Sequence, residues 1–174
     1  MSVLPHSLQR LAVEVEGWID LGCAAEALAR VGPLLEHPVG RPLGLALQAR
    51  ALVARQEHAA ALGALTALRG LPHDAEWLEL TEAWCRKRVG DLPGAVACME
   101  RLLERQPRAP IGHYNLGCYL ALLGDTERAL REVTIACGMD ADLRGSLAGE
   151  RDLDSLRADP RFQSLLPPPA QAGE

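Results

Sequence analysis

The chain has 174 residues, of which 48% are apolar, 24% charged and 3% aromatic, and this balance excludes a disordered polymer. Leucine and alanine supply 31 and 27 of the positions while valine, isoleucine and aromatic residues are scarce, which favours helix and excludes an all-β domain. The net charge of −5, with no basic run longer than 86–88, argues against a nucleic-acid partner.

The sequence carries no signal for export or for membrane insertion. Residues 1–11 lack a basic stretch followed by an apolar run, and no apolar segment approaches the ~20 residues that span a bilayer. Five cysteines without a Cys-x-x-Cys spacing fit neither a disulfide framework nor a zinc site. We therefore expect a cytoplasmic protein with no membrane partner. The bias towards alanine, arginine and glycine, with a single lysine, suggests a bacterial genome rich in GC.

A motif with an aliphatic-Gly start and an Ala-aliphatic end recurs along the chain. It occupies 21–28, 89–96 and 123–130, and its successive glycines lie 68 and 34 residues apart. The missing copy, at 55–62, keeps its Ala-Leu end and has lost the glycine. This recurrence predicts a short leader followed by four units of 34 residues. The predicted leader and units are 1–7, 8–41, 42–75, 76–109 and 110–143.

Each unit is predicted to fold as a helical hairpin, with two helical stretches separated by the turn and closed by a proline or an aspartate. Small or modest residues at the eighth place and alanine at the twentieth suit a close crossing of two helices. These residues are Val15, Ala49, Ala83 and Gly117, then Ala27, Ala61, Ala95 and Ala129. Mostly aliphatic residues at the twenty-fourth and twenty-seventh places are expected to fill the layer to the next unit. In the first unit, Pro33 predicts a kink or an early helix stop near Val31.

A constant 34-residue hairpin with small residues at these places resembles the tetratricopeptide repeat (TPR) family. The fourth unit is the best match, because 114–125 reproduces the family's Asn-Leu-Gly, aromatic and Leu-Gly-Asp signature. The first two units are degenerate, and the resemblance covers residues 8–143. It implies an all-α fold, an α-solenoid of stacked antiparallel helical hairpins in a TPR superhelix.

The segment 144–166 is predicted to cap the array, because the last hairpin of a stack exposes an apolar side that must be covered. Its leucines and Phe162 are interspersed with charged residues, and 152–162 resembles a tail that closes many bacterial TPR proteins. Asp159 and Pro160 predict the start of a last short helix, 160–166. Residues 167–174 are expected to form a disordered tail.

The resemblance implies that the first helix of each hairpin lines a concave groove through its second, fifth, ninth, twelfth and thirteenth places. Here those places are mostly apolar with a basic edge, and they predict a partner-binding groove. Its predicted residues are Arg50, Trp77, Leu80, Trp84, Lys87, Arg88, Ile111, Tyr114 and Cys118. Trp77 and Trp84 recur at helical spacing, which fits a binding stripe and a buried core equally well.

The residues that line this predicted groove do not suit the best-known TPR ligand. The lysine, arginine and asparagine with which that TPR groove binds a carboxylate tail are missing from the corresponding places, so we reject that role. Grooves lined with aliphatic and aromatic groups resemble those of TPR chaperones that shield an apolar segment.

The sequence shows no constellation for catalysis. Phosphate loops, a Gly-x-Ser-x-Gly elbow and a His-Glu-x-x-His pair are absent, and the five histidines are scattered over different turns. Cys118 fits an ordinary apolar cysteine better than a reactive thiol, since His113 lies off its helical face. We therefore expect no enzymatic activity, no cofactor and no metal.

The predicted function is protein binding, by an adaptor or chaperone-like module that holds a peptide or helix of a partner protein in its groove. The alternative is a structural subunit of a homo-oligomer, such as a homodimer, that uses the same apolar stripe.

Overall fold

The computed structural model describes residues 3–167, in which every regular element is a helix. The chain divides into two compact units, Met1–Gly90 and Asp91–Glu174. A 3₁₀ helix, Arg151–Leu156, lies between the last two α-helices. The α-helices are α1 His6–Asp20, α2 Ala24–Arg30, α3 Gly32–Glu36, α4 Arg41–Ala54, α5 His58–Leu68, α6 Ala75–Arg88, α7 Leu92–Arg105, α8 Pro110–Leu122, α9 Thr126–Met139, α10 Leu143–Leu147 and α11 Pro160–Gln163.

The helices recur at the spacing of the sequence motif. Helices α2, α5, α7 and α9 begin at residues 24, 58, 92 and 126, so each start lies 34 residues after the previous one. Helix α1 begins at His6, inside the predicted leader 1–7, because Pro5 offers its carbonyl oxygen to the first helical turn.

The first unit is held together by two clusters of buried apolar side chains. One joins α1, α2, α3 and α4 around Val15, Ala27 and Leu34, and the other joins α4, α5 and α6 around Ala61 and Leu65. The residues predicted at the helix crossings of this unit are fully buried. The aliphatic residues predicted to fill the layer to the next unit, Val31, Leu34, Leu65 and Leu68, are also buried, which confirms that both sets belong to the core. The crossing residues of this unit are Val15, Ala27, Ala49, Ala61 and Ala83.

The predicted break in the first unit is confirmed. Helix α2 ends at Arg30, and α3 starts at Gly32 with Pro33 in its first turn. Proline is tolerated in a first turn because the amide hydrogen it lacks would have no partner there, whereas inside a helix it removes a hydrogen bond.

The second unit is organised around α8, which contacts α7, α9 and the 3₁₀ helix. Its close approach to α9 needs Gly117, since a Cβ at that position would lie 2.6 Å from Val133 Cγ2 and 3.1 Å from the carbonyl oxygen of Ala129. Ala129, the predicted partner of Gly117 in this crossing, is fully buried.

The C-terminal segments of the second unit bury their large apolar side chains. Leu147, Leu153, Leu156 and Phe162 are almost completely covered. Helix α11 starts as predicted, because Asp159 Oδ1 accepts a hydrogen bond of 2.8 Å from the backbone nitrogen of Arg161.

The end of α11 differs from the prediction, which extended the helix to 166. It ends at Gln163 and continues as tight turns, consistent with the prolines from 167 onward, since a residue before proline avoids the α conformation. The predicted disordered tail lies, from residue 168 on, outside the described residues, as do residues 1–2 of the predicted leader.

Four turns between helices adopt a left-handed backbone at the same place in the repeat. Gly22, Gly90 and Gly124 have φ angles of 77°, 84° and 83°, and Gln56 takes the equivalent place in the second repeat with φ of 62°. Left-handed φ costs a residue with a Cβ about 1 kcal/mol relative to glycine. The copy that has lost its glycine therefore keeps the turn at an energetic cost.

We expect Gln56→Gly to raise the free energy of unfolding by about 0.5–1 kcal/mol, because relief of the left-handed strain outweighs the added entropy of the unfolded chain. Chemical denaturation measures the change, and Gly90→Ala is the matched control that should lower stability by a similar amount. An unchanged midpoint in both variants would contradict the assigned strain.

We expect Gly117→Ala to lower the free energy of unfolding by about 1–3 kcal/mol, because the new methyl group would overlap Val133 and push α8 away from α9. Gly63→Ala is the control, since a Cβ at Gly63 has no atom within 4 Å and alanine is the better helix former. Thermal denaturation should show opposite signs for the two variants, and equal losses would argue against the close crossing.

Candidate binding groove in the first unit

The first unit contains a pocket of about 700 Å³. It lies on the side of α1, α4 and α6 that the sequence analysis assigned to the groove, and the segments before α4 and α6 complete its wall. Two of the predicted groove residues, Arg50 and Trp77, line it. So do Glu16, Leu43 and Ala46, which stand at the ninth, second and fifth places of their repeats.

The face of α4 that lines the pocket carries a small residue between two larger ones. Leu43, Ala46 and Arg50 lie on one face of α4, at the spacing of successive turns. Ala46 is half-buried against the core and fills little space between its two larger neighbours. Leu43 lies one turn before Ala46 on this face, and 41% of its surface is exposed. The face of α4 is therefore indented at Ala46.

The wall of the pocket is built mainly from apolar residues of the connecting segments. Pro38, Val39 and Pro42 contribute before and at the start of α4, and Leu71 and Pro72 contribute before α6. Prolines fix the φ angle of their segments, so this wall is stiffer than an ordinary loop. A stiff apolar wall favours a preformed binding site, since little order has to be imposed when a ligand enters.

Arg50 is held by two carboxylates of α1. Its Nη1 lies 2.5 Å from Glu16 Oε1 and its Nη2 lies 3.2 Å from Asp20 Oδ1. The sequence analysis placed Arg50 on a basic edge of the groove, whereas the structure surrounds it with more negative than positive charge. Glu16 lies 34 positions before Arg50, so this ion pair joins equivalent places of adjacent repeats.

The other polar side chains of the pocket also take part in local structure. Asp74 caps α6 by accepting a hydrogen bond of 3.0 Å from the backbone nitrogen of Trp77. His73 Nδ1 lies 2.5 Å from the carbonyl oxygen of Leu71. Asp74 and His73 therefore both line the pocket and contact the backbone of the segment that leads into α6.

The two tryptophans of α6 occupy different environments. Trp77 is half-buried, packs against the second core cluster and also forms part of the pocket wall. Trp84, two helical turns further on, is 43% exposed. Lys87 Nζ and Arg88 Cζ lie 5.8 and 5.5 Å from the centre of its ring, close enough for cation–π attraction.

The remaining residue predicted for the groove in this unit, Leu80, is half-buried. Of the two tryptophans, Trp77 thus contacts both the core and the pocket, whereas one face of the Trp84 ring is exposed to solvent.

Three predicted groove residues belong to the second unit, and two of these are covered there. Ile111 is half-buried, whereas Tyr114 exposes only 6% of its surface and Cys118 is also buried. The repeat places of Tyr114 and Cys118 predict side chains in an open groove. They are buried instead, on a helix against which α7, α9 and the 3₁₀ helix all pack within this unit. The same burial raises the pKa of Tyr114 above its ordinary value.

A buried charge network on α6 was not anticipated from the sequence. Glu79 is completely buried, and its Oε1 accepts a hydrogen bond of 2.7 Å from Arg69 Nη1. Glu82, also buried, is paired with Arg69 and accepts a hydrogen bond of 2.8 Å from Arg86 Nε. Burial by itself raises the pKa of Glu82, but the bonds from Arg69 and Arg86 outweigh it and the pKa is lowered. The only sequence feature that points to this network is the pair of glutamates one helical turn apart, ten and thirteen residues after Arg69.

Comparison with known proteins gives a structural match and no family match. No protein-family model matches the chain, and no curated protein matches it. Among solved structures, a helical-repeat, TPR-like protein described as "MamA RS-1 ArsTM double mutant" aligns with a TM-score of 0.74 at 12% sequence identity. The alignment covers 94% of this chain and 96% of the other. The chain has a TPR-like fold. The fold class is therefore all-α, of the helical-repeat solenoid type, as the sequence analysis predicted.

Within residues 3–167, none of the helices combines the length and the apolar character needed to cross a bilayer.

We expect Arg69→Met to lower the free energy of unfolding by about 2 kcal/mol at pH 7, because two buried carboxylates lose a charged donor. Since the Glu82 pKa is lowered in the folded state, this contribution is present above the unfolded-state pKa of about 4.3 and is lost as the pH falls through the folded-state value. The difference between variant and wild type should therefore shrink towards pH 3.

Urea denaturation between pH 3 and pH 7 provides the measurement for this network. Arg55→Met is the control, because its partner Glu57 is exposed and such a pair contributes about 0–1 kcal/mol. A difference between the Arg69 variant and wild type that stays constant with pH would show that the effect does not come from the carboxylates.

Proposed function

We propose that the protein is a protein-binding module, an adaptor or chaperone-like protein, that holds a peptide or helix of a partner in the pocket of its first unit. The observation that carries the proposal is the apolar pocket built from the predicted groove places of α1, α4 and α6. Its volume of about 700 Å³ falls within the range of about 300–1,000 Å³ that is usual for binding pockets.

The contact would follow the helix-in-groove or extended-peptide mode, in which apolar anchors of the partner enter a preformed apolar depression. Leu43 and Val39 offer exposed apolar surface at the opening, and Trp77 offers an aromatic wall. Trp84 lies two turns beyond Trp77 on the same face of α6, so a partner that extends along this helix would reach it. Affinity would come from buried apolar area, with the surrounding charges setting orientation.

The cysteines support a reducing compartment, and we place the protein in the cytoplasm. All five are free thiols, with Cys23 exposed and the other four buried. Burial raises the pKa of the Cys85 thiol to about 11, so this thiol stays protonated and unreactive at neutral pH. Cys85 therefore serves as a small apolar residue in this proposal, which involves no catalytic step.

The proposal can be tested with a photo-crosslinking amino acid placed at Leu43, inside the pocket opening. We expect protein adducts in cells that carry the native partners, and we expect them to drop at least tenfold when Ala46→Trp fills the floor. The same crosslinker at Ala67, an exposed position of α5 outside the pocket, is the control for random contact.

The companion substitution Ala60→Trp, at an exposed alanine of α5, controls for the added tryptophan itself. Adducts at Leu43 that persist in the Ala46→Trp variant would contradict binding in the pocket. Adducts between two copies of this chain would support the homo-oligomer instead.

A further inference from the structure

We infer that the partner segment carries a lysine or arginine next to the apolar side chain that enters the pocket. This inference rests on the proposed function, because it names the chemistry of the segment that the same pocket would hold. It follows from the balance of charges around the pocket and from the way Arg50 is used.

Carboxylates outnumber cations at this site. Glu16 and Asp74 line the pocket, and Asp20 joins it through its ion pair with Arg50. The only cation among these residues is the guanidinium of Arg50, so the side chains at the site carry a net negative charge. A positive group on the partner lowers the energy of this arrangement, and a negative group raises it.

Arg50 is poorly placed to offset this charge for an incoming acid. Its Nη1 and Nη2 already donate to Glu16 and Asp20, so a partner carboxylate would have to displace one of them. The side chains of Glu16 and Asp20 remain 51% and 65% exposed. Carboxylates that are paired on one side and open on the other can accept a second cation at little cost in desolvation.

The apolar and charged parts of the site lie close together. Ala46 and Arg50 are one helical turn apart on α4, which corresponds to a rise of about 6 Å. When the apolar anchor of the partner rests on Ala46, a lysine or arginine one helical turn away from that anchor lies beside Glu16. The predicted ligand is a segment with a bulky apolar residue and a cation within about four positions of it.

The test uses a phage-displayed library of random 14-residue peptides, selected on the full-length wild-type protein and depleted on the Ala46→Trp variant. We expect the surviving peptides to be enriched in lysine and arginine within four positions of a leucine, phenylalanine or tryptophan. Individual peptides are then measured by fluorescence polarisation.

The charge variant is Glu16→Gln with Asp74→Asn, in which asparagine preserves the N-cap of α6. We expect it to weaken the selected peptides roughly fivefold, since it neutralises two of the three carboxylates that make the site negative. The matched control is Glu26→Gln with Glu57→Gln, which removes the same net charge from exposed residues outside the pocket. The control should leave affinity within a factor of two.

The outcomes separate this inference from the proposed function. Peptides that depend on Ala46 but show no enrichment in cations, or that weaken equally in both charge variants, overturn the inference and leave pocket binding intact. Selection that returns no peptide sensitive to Ala46→Trp argues against the pocket itself and overturns both. Cation-rich peptides with affinity lost only in the pocket variant support the inference.

Discussion

The close crossing of two helices at small residues is the constraint on which the hairpins inside each unit depend. Ala27 and Ala61 in the first unit and Ala129 in the second have no surface left for solvent, and Gly117 is buried. At Gly117 even one methyl group has no room. Because the helices approach so closely, the leucines one layer out can pack at the density of a protein interior. The abundance of alanine in this chain is thus a packing requirement as well as a helix preference.

A small residue at the fifth place has a different consequence. Ala46 lies on the face of α4 that carries Leu43 and Arg50, and there the lack of bulk leaves a depression instead of a close contact. Stiff proline-containing segments keep this depression open on one side, and Trp77 closes it on another. One residue type, alanine, therefore produces tight packing between the helices of a hairpin and a pocket on the face of α4.

The first unit contains two pairs of carboxylates, and the two pairs differ in their exposure to solvent. The carboxylates at Glu16 and Asp20 are exposed and can take a second partner, whereas Glu79 and Glu82 are buried and committed to arginines that hold α6 in place. In the proposed function the first pair takes part in recognition, whereas the second pair stabilises the fold. The proposed cation preference follows from this difference in exposure, since residue type alone does not distinguish the two sets.

The sequence by itself determined the helical class, the 34-residue spacing, the crossing residues and the break at Pro33. These follow from local rules, because period, turn residues and side-chain size act over a few neighbouring positions. Gln56 shows how strong the pattern is, as the turn forms even without its glycine.

Only the tertiary structure decided which groove residues are open. Tyr114 and Cys118 are buried on a helix that packs against the 3₁₀ helix about thirty residues further along the chain as well as against its neighbours, and Arg50 is paired with residues about thirty positions earlier. Exposure and pairing depend on which distant segments pack together, and a repeat pattern read along the chain carries no record of those contacts.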